Sequence, residues 1–205
     1  MPADPYRSAT DDDVVARLRK RVLETLDEDE RYGLASPAAV ADAEARLGFH
    51  LPRLLVRVWT DVGNGGFGPG SGIVGVPPNG YIDEDMGGDF VTLCCSQDGS
   101  APKEFVPVCT WGCGIWSYID CRDAAGPILT HEVLTDANGN TTIRYHLVCS
   151  SLREWLAKWV DGISLWDDMH EVVGHRTVMN PFRRRLENRP DQRLKGPVVF
   201  TGPLR

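Results

Sequence analysis

Residues Ser36–Gly66 read SPAAVADAEARLGFHLPRLLVRVWTDVGNGG, and this stretch decides the fold because it writes out two abutting helices with their ends marked. Ser36 can accept a bond from an orphan N–H at a helix start, and Pro37 falls at the first helical position, where its missing N–H costs nothing. Val40, Ala43 and Leu47 recur at three-to-four-residue spacing as one apolar stripe. Gly48 supplies the left-handed stop. Pro52 opens a second helix, in which Leu51, Leu54, Leu55, Val58, Trp59 and Val62 make a wide apolar face before Gly63, Asn64, Gly65 and Gly66 break it. Two helices joined this closely pack as one elbow.

Upstream, Thr10 and Asp11 to Asp13 cap a further helix with the apolar stripe Val15, Leu18, Val22 and Leu26. The acidic run Asp27 to Glu30 falls at its C-terminal end, where the macrodipole disfavours negative charge, so the helix is expected to fray there. Downstream, residues 63 to 88 are rich in Gly and Pro around one strand candidate, Ile73 to Val76. Phe90 to Leu93, Phe105 to Val108, Ile115 to Asp120, Ile128 to Val133 and Thr141 to Val148 are short, β-rich and divided by turn residues, most clearly Asn138-Gly139. Because these strands follow one another without intervening helices, the sheet is expected to be mainly antiparallel. Ser151 and Glu154 then form a capping box for a helix carrying Leu152, Trp155, Leu156, Trp159, Val160 and Ile163, a natural lid for the sheet. Beyond Trp166 the periodicity fades, and Pro181, Pro190, Pro197 and Pro203 punctuate a tail expected to wrap the domain or stay mobile. Val198, Val199 and Phe200 could add an edge strand.

The order EARLG, FHLP and NGGFG, followed by Ile73 to Val76, TWGCGIWSYID (Thr110 to Asp120) and the amphipathic helix after Ser150, resembles the SUKH superfamily over residues 36 to 163. That superfamily contains the yeast cell-wall-assembly regulators and many bacterial immunity proteins. The resemblance implies a non-enzymatic binding module, and it carries nothing over to the segments on either side. By the same resemblance Glu44 occupies the family's acidic position on the first elbow helix, where its carboxylate is expected to receive N–H groups at the start of the next helix.

Charge is unevenly spread. Residues 1 to 180 hold 27 Asp and Glu against 15 Lys and Arg, whereas residues 181 to 205 hold 7 basic against 2 acidic. An acidic body lacks the clustered Lys and Arg of a nucleic-acid track and suits either a basic protein partner or plain solubility. No signal-like start and no long apolar run are visible, so a soluble cytoplasmic protein is expected, with 205 residues and 42% hydrophobic content sufficing for a self-supporting core.

The candidates for chemistry read mostly as structure. Cys94-Cys95, Cys109, Cys113, Cys121 and Cys149 contain no CxxC pair, so most are expected to be buried thiols rather than zinc ligands. His170 and His175 are five apart and cannot chelate from one helix face. His50 sits in the elbow, and His131 and Glu132 point to opposite faces of a strand. The glycine cluster 63 to 72 lacks the Lys and Ser/Thr of a phosphate loop and follows a helix rather than a strand. Trp111 to Gly114 suggest a tight backbone passage under an indole, or an aromatic anchor if exposed. Asp83, Glu84, Asp85 and Asp89 form the densest acidic loop of the body without EF-hand spacing; with Tyr81 they are the candidate partner-binding residues.

These observations predict an α+β fold, roughly five to six mainly antiparallel strands with helices packed against them. Residues 1–35 form an N-terminal helical extension, 36–163 the SUKH-like domain and 164–205 a basic arm. The expected function is that of an immunity protein neutralising a cognate toxin, perhaps a nuclease, by direct binding. An intracellular regulatory adaptor is the alternative, and a small hydrolase or metal enzyme a third. No catalytic residue, metal or cofactor is expected, and no nucleic-acid or membrane partner; oligomeric state stays open.

Overall fold

The computed structural model describes residues 5–97, 99–172, 192–194 and 196–204. After a short helix α1 (Pro5–Ser8), helix α2 (Asp11–Thr25) starts where the Thr10 side chain accepts the Asp13 N–H at 3.2 Å. It buries Val14, Val15, Leu18 and Val22. It ends before the acidic run instead of fraying through it. Glu28–Glu30 form a separate 3₁₀ turn, in which the Asp27 N–H donates to Glu30 Oε2 at 3.0 Å. The elbow forms as α3 (Pro37–Leu47) and α4 (Arg53–Arg57). Ser36 Oγ accepts the Ala39 N–H at 3.1 Å, and Gly48 takes φ 77°. The second helix does not stay α-helical to its end but widens into a π-helical turn at Val58–Val62.

The expected Glu44 cap is present: Oε1 accepts the Leu51 N–H at 2.8 Å, while Oε2 lies 3.3 Å from Nδ1 of the exposed His50. This ties the first arm of the elbow to the start of the second.

Two strand expectations need correction. Phe90–Cys95 is a helix, α5, because the Asp89 carboxylate accepts the Thr92 N–H at 2.8 Å and so caps it. A short apolar run reads equally as a buried strand or a buried helix, and here the cap decides. Residues 73 to 76 run extended without joining the sheet. The Ile73 N–H donates to Phe67 O and the Val74 N–H to Val108 O, and both main-chain polar groups of Val76 are taken by Asn64.

The sheet orders its strands β1 (Phe105–Thr110), β2 (Trp116–Asp120), β3 (Ile128–Thr135), β4 (Thr141–Cys149) and, at the edge, β7 (Val198–Pro203), all antiparallel. The edge strand expected at 198 to 200 thus forms against β4. A separate pair joins β5 (His170–Val172) to β6 (Gln192–Leu194). His175 and the Arg183 to Arg185 run fall outside the described residues. The sheet's inner face sets Val106, Val108, Ile119, Ile128 and Cys149 against the helices. Here α6 (Leu152–Val160) is the lid, with Trp155 and Leu156 fully buried, and α7 (Leu165–Met169) follows it. The Glu154 side chain caps Ser150 rather than Ser151, taking its N–H and hydroxyl at 3.2 and 2.7 Å.

Helix α2 is fastened across α6 and α4. Arg21 lies 4.5 Å over the Trp159 ring and donates to Val160 O, Arg153 meets Asp11 at 2.7 Å, Arg17 pairs with Asp161, and Arg57 reaches Asp12 at 2.6 Å.

The outer face carries a second cluster, Phe105, Tyr118, Leu129, Ile143 and Tyr145, with Phe200 against it. His131 is held here, its ring 5.4 Å from Tyr118 and 6.2 Å from Tyr145 in centroid distance, and its buried Nδ1 has no hydrogen-bond partner among the described residues. Burial holds its pKa below the ordinary histidine value. The unfolded chain therefore binds this proton more readily than the folded one. The stabilising effect is complete above pH of about 6.5 and is lost as pH falls toward the folded pKa, at up to about 1.4 kcal/mol per pH unit. Urea midpoints at neutral and mildly acidic pH should show a shallower acid loss in His131→Phe than in wild type; parallel slopes would refute the assignment.

Candidate functional site

The glycine cluster is a knot of backbone bonds around one buried side chain. Asn64 Nδ2 donates to Val76 O at 2.8 Å, and Asn64 Oδ1 accepts the Val76 N–H at 2.9 Å. Its main chain reaches two further segments, the N–H donating to Gly33 O at 3.0 Å and the carbonyl accepting the Tyr81 N–H at 2.8 Å. Gly65 and Gly66 take φ 89° and 80°; a Cβ on Gly66 would lie 2.6 Å from the Tyr32 ring. These glycines let three strands of chain pass closely, which is a structural task.

Out of this knot rises the acidic loop, whose four carboxylates divide into two kinds. Asp83 is only 2% exposed. It accepts the Met86 N–H at 2.9 Å through Oδ1 and the Ser71 hydroxyl through Oδ2, with the Tyr81 hydroxyl 3.4 Å from the same oxygen. Its main chain bridges to Gly88. Asp89 caps α5. The inner pair therefore shapes the loop, and Glu84 and Asp85 are the exposed pair. Burial, with Asp83 beside it, pushes the Tyr81 phenol up to about 12, so it stays a neutral donor near neutral pH.

Tyr81 packs edge-to-face on Tyr32 with ring centroids 5.4 Å apart. Tyr32 is 40% exposed and Ile82 52%. Sequence reasoning missed Tyr32, since nothing local marks a tyrosine whose partner lies 49 positions further along the chain.

The other candidates resolve as follows. Cys94, Cys109, Cys121 and Cys149 are buried, Cys95 and Cys113 are exposed, and all six are free thiols. Burial pushes Cys109 up to about 12 and Cys94 to about 11. Trp111 is a core residue, its indole N–H donating to Ser117 Oγ at 2.9 Å. His131 and Glu132 do part to opposite faces. Glu132 lies 3.2 Å from Nε2 of His146 on the neighbouring strand, a pairing across the sheet that the sequence does not announce. His170 opens β5. Among the described residues, no group of three or more His, Cys, Asp or Glu is placed to hold a metal ion. None of their helices is long and apolar enough to cross a membrane.

The family model described as the SMI1 / KNR4 family (SUKH-1) matches residues 34–158, more than half of the chain. The chain belongs to that family. The match spans the elbow, the glycine knot, the acidic loop, strands β1 to β4 and most of α6, the parts that position the loop, and within the SUKH-1 fold Asn64 and Asp83 are what fix it. Tyr32 and the 3₁₀ turn stand just outside the match. No curated protein and no solved structure matches the chain.

Proposed function

We propose that this SUKH-1 protein is an immunity protein that neutralises a cognate toxin by binding it directly, with loop 81 to 89 as part of the contact. The observation that carries the reading is the division of labour in that loop. Asp83 and Asp89 are used internally, which leaves Glu84 and Asp85 presented on a fixed frame beside Tyr81 and Tyr32. Family membership supports a protein partner, since the family includes immunity proteins as well as regulators. An acidic, aromatic surface is matched by a basic partner such as a nuclease: the charges speed encounter and the aromatic anchors lengthen residence.

The regulatory reading has one observation in its favour, that the matching model is the one built on the SMI1 / KNR4 branch. The two separate by gene neighbourhood and by co-expression with an adjacent toxin gene, where rescue of growth and a purified complex are expected for immunity. Within that complex, Glu84→Gln combined with Asp85→Asn should slow association by about three- to tenfold at low salt, with the difference shrinking as salt is added. An unchanged association rate rejects the loop as the docking element. Neither variant touches the inner carboxylates, so the fold is not at stake.

A further inference from the structure

Between α3 and the α4–π arm runs a groove of about 610 Å³, walled by Leu34, Val40, Ala41 and Val56. Leu34 is 57% exposed at its mouth. Glu44 and Asp61 line the groove, and no Lys or Arg lines it. Glu44 uses one oxygen for the Leu51 N–H and keeps its charge at the groove wall. Arg57 pairs with Asp61 at 3.0 Å but lines the neighbouring groove along α2.

We infer that this groove takes an amphipathic helix of a partner protein, its apolar stripe seated between α3 and α4 and its lysines or arginines meeting Glu44 and Asp61. The inference rests on the reading of this chain as a protein-binding module, and it names the partner's chemistry. The two observations behind it are an apolar floor and a lining whose charged residues are all acidic, and an apolar stripe flanked by cations matches both. A second copy of this chain, at net charge −7, would bring acid against acid.

The test is a titration of the full chain, followed by amide shifts, with a leucine–lysine helical peptide of about four turns and with its leucine–glutamate counterpart. Shifts are expected at Leu34, Ala41 and Val56 with the lysine peptide alone. Ala41→Arg, which places bulk and positive charge at an exposed position on α3, should weaken that binding about tenfold or more while the urea midpoint holds. Leu34→Ser should weaken it by a smaller factor. Shifts concentrated elsewhere, equal binding of the two peptides, an unaltered affinity in Ala41→Arg, or self-association through this face would each overturn the inference. Should a toxin complex form and Ala41→Arg leave it intact, the groove is refuted and the immunity reading stands. Should no toxin bind while the lysine peptide still enters the groove, the immunity reading falls and the groove remains.

Discussion

Replacing Trp59 with alanine is expected to remove about 3–5 kcal/mol of stability, read as a large drop in urea midpoint. The indole is fully buried, meets Phe90 edge-on at a centroid distance of 5.0 Å, and donates its N–H to Val74 O at 3.1 Å. Its own carbonyl accepts the Ala35 N–H at 2.9 Å. One residue in the π-helical turn thus joins the elbow to α5, to the chain beside β1 and to the segment leading from Tyr32. Trp59→Phe separates the contributions: most of the apolar burial survives, and the orphaned Val74 carbonyl should cost about 1–2 kcal/mol. A loss below about 1 kcal/mol in the alanine variant would mean that the site collapses around the gap and that this account of the core is wrong.

Asn64→Ala is the second large effect expected, at about 2–4 kcal/mol, because the main-chain N–H and C=O of Val76 would both be left buried without their partner. The outcome extends beyond stability. Val76 leads into the turn that ends at Tyr81, and Asn64 also holds the Tyr81 N–H through its carbonyl, so the frame of the acidic loop should loosen with it. Hydrogen exchange of residues 76 to 88 should rise in Asn64→Ala well beyond the global change. Uniform exchange across the chain would show that the loop is held by other means.

Capping and periodicity made the helical elbow readable: Ser36, Pro37 and Gly48 marked its first arm, and Leu54, Leu55, Val58 and Trp59 its buried face. The hairpin strands were readable for a similar reason, since Asn138-Gly139 and the alternation in β2 are local signals. The π-helical widening of Val58–Val62 was not, because it leaves the spacing of apolar residues nearly unchanged. Phe90 to Leu93 misled because the run Phe90–Cys95, six apolar or small residues in a row, carries no period, although Asp89 was in place as a cap. That same Asp89, together with Asp83, was counted among surface carboxylates. Burial of an aspartate depends on what the fold delivers to it, here Ser71 and the Met86 N–H, and composition is silent on that. The Tyr32–Tyr81 pair arises from packing between distant segments, so no short window of sequence contains it.

The fastening of α2 across α6 has a practical corollary for anyone handling this protein. A fragment trimmed to the family match at residue 34 would lose the helix that seats Val14, Leu18 and Val22, baring greasy surface on the lid and stranding Arg153 and Arg57 without two of their aspartates. The unit that folds is therefore expected to be larger than the unit that is recognised, and a shortened version to precipitate.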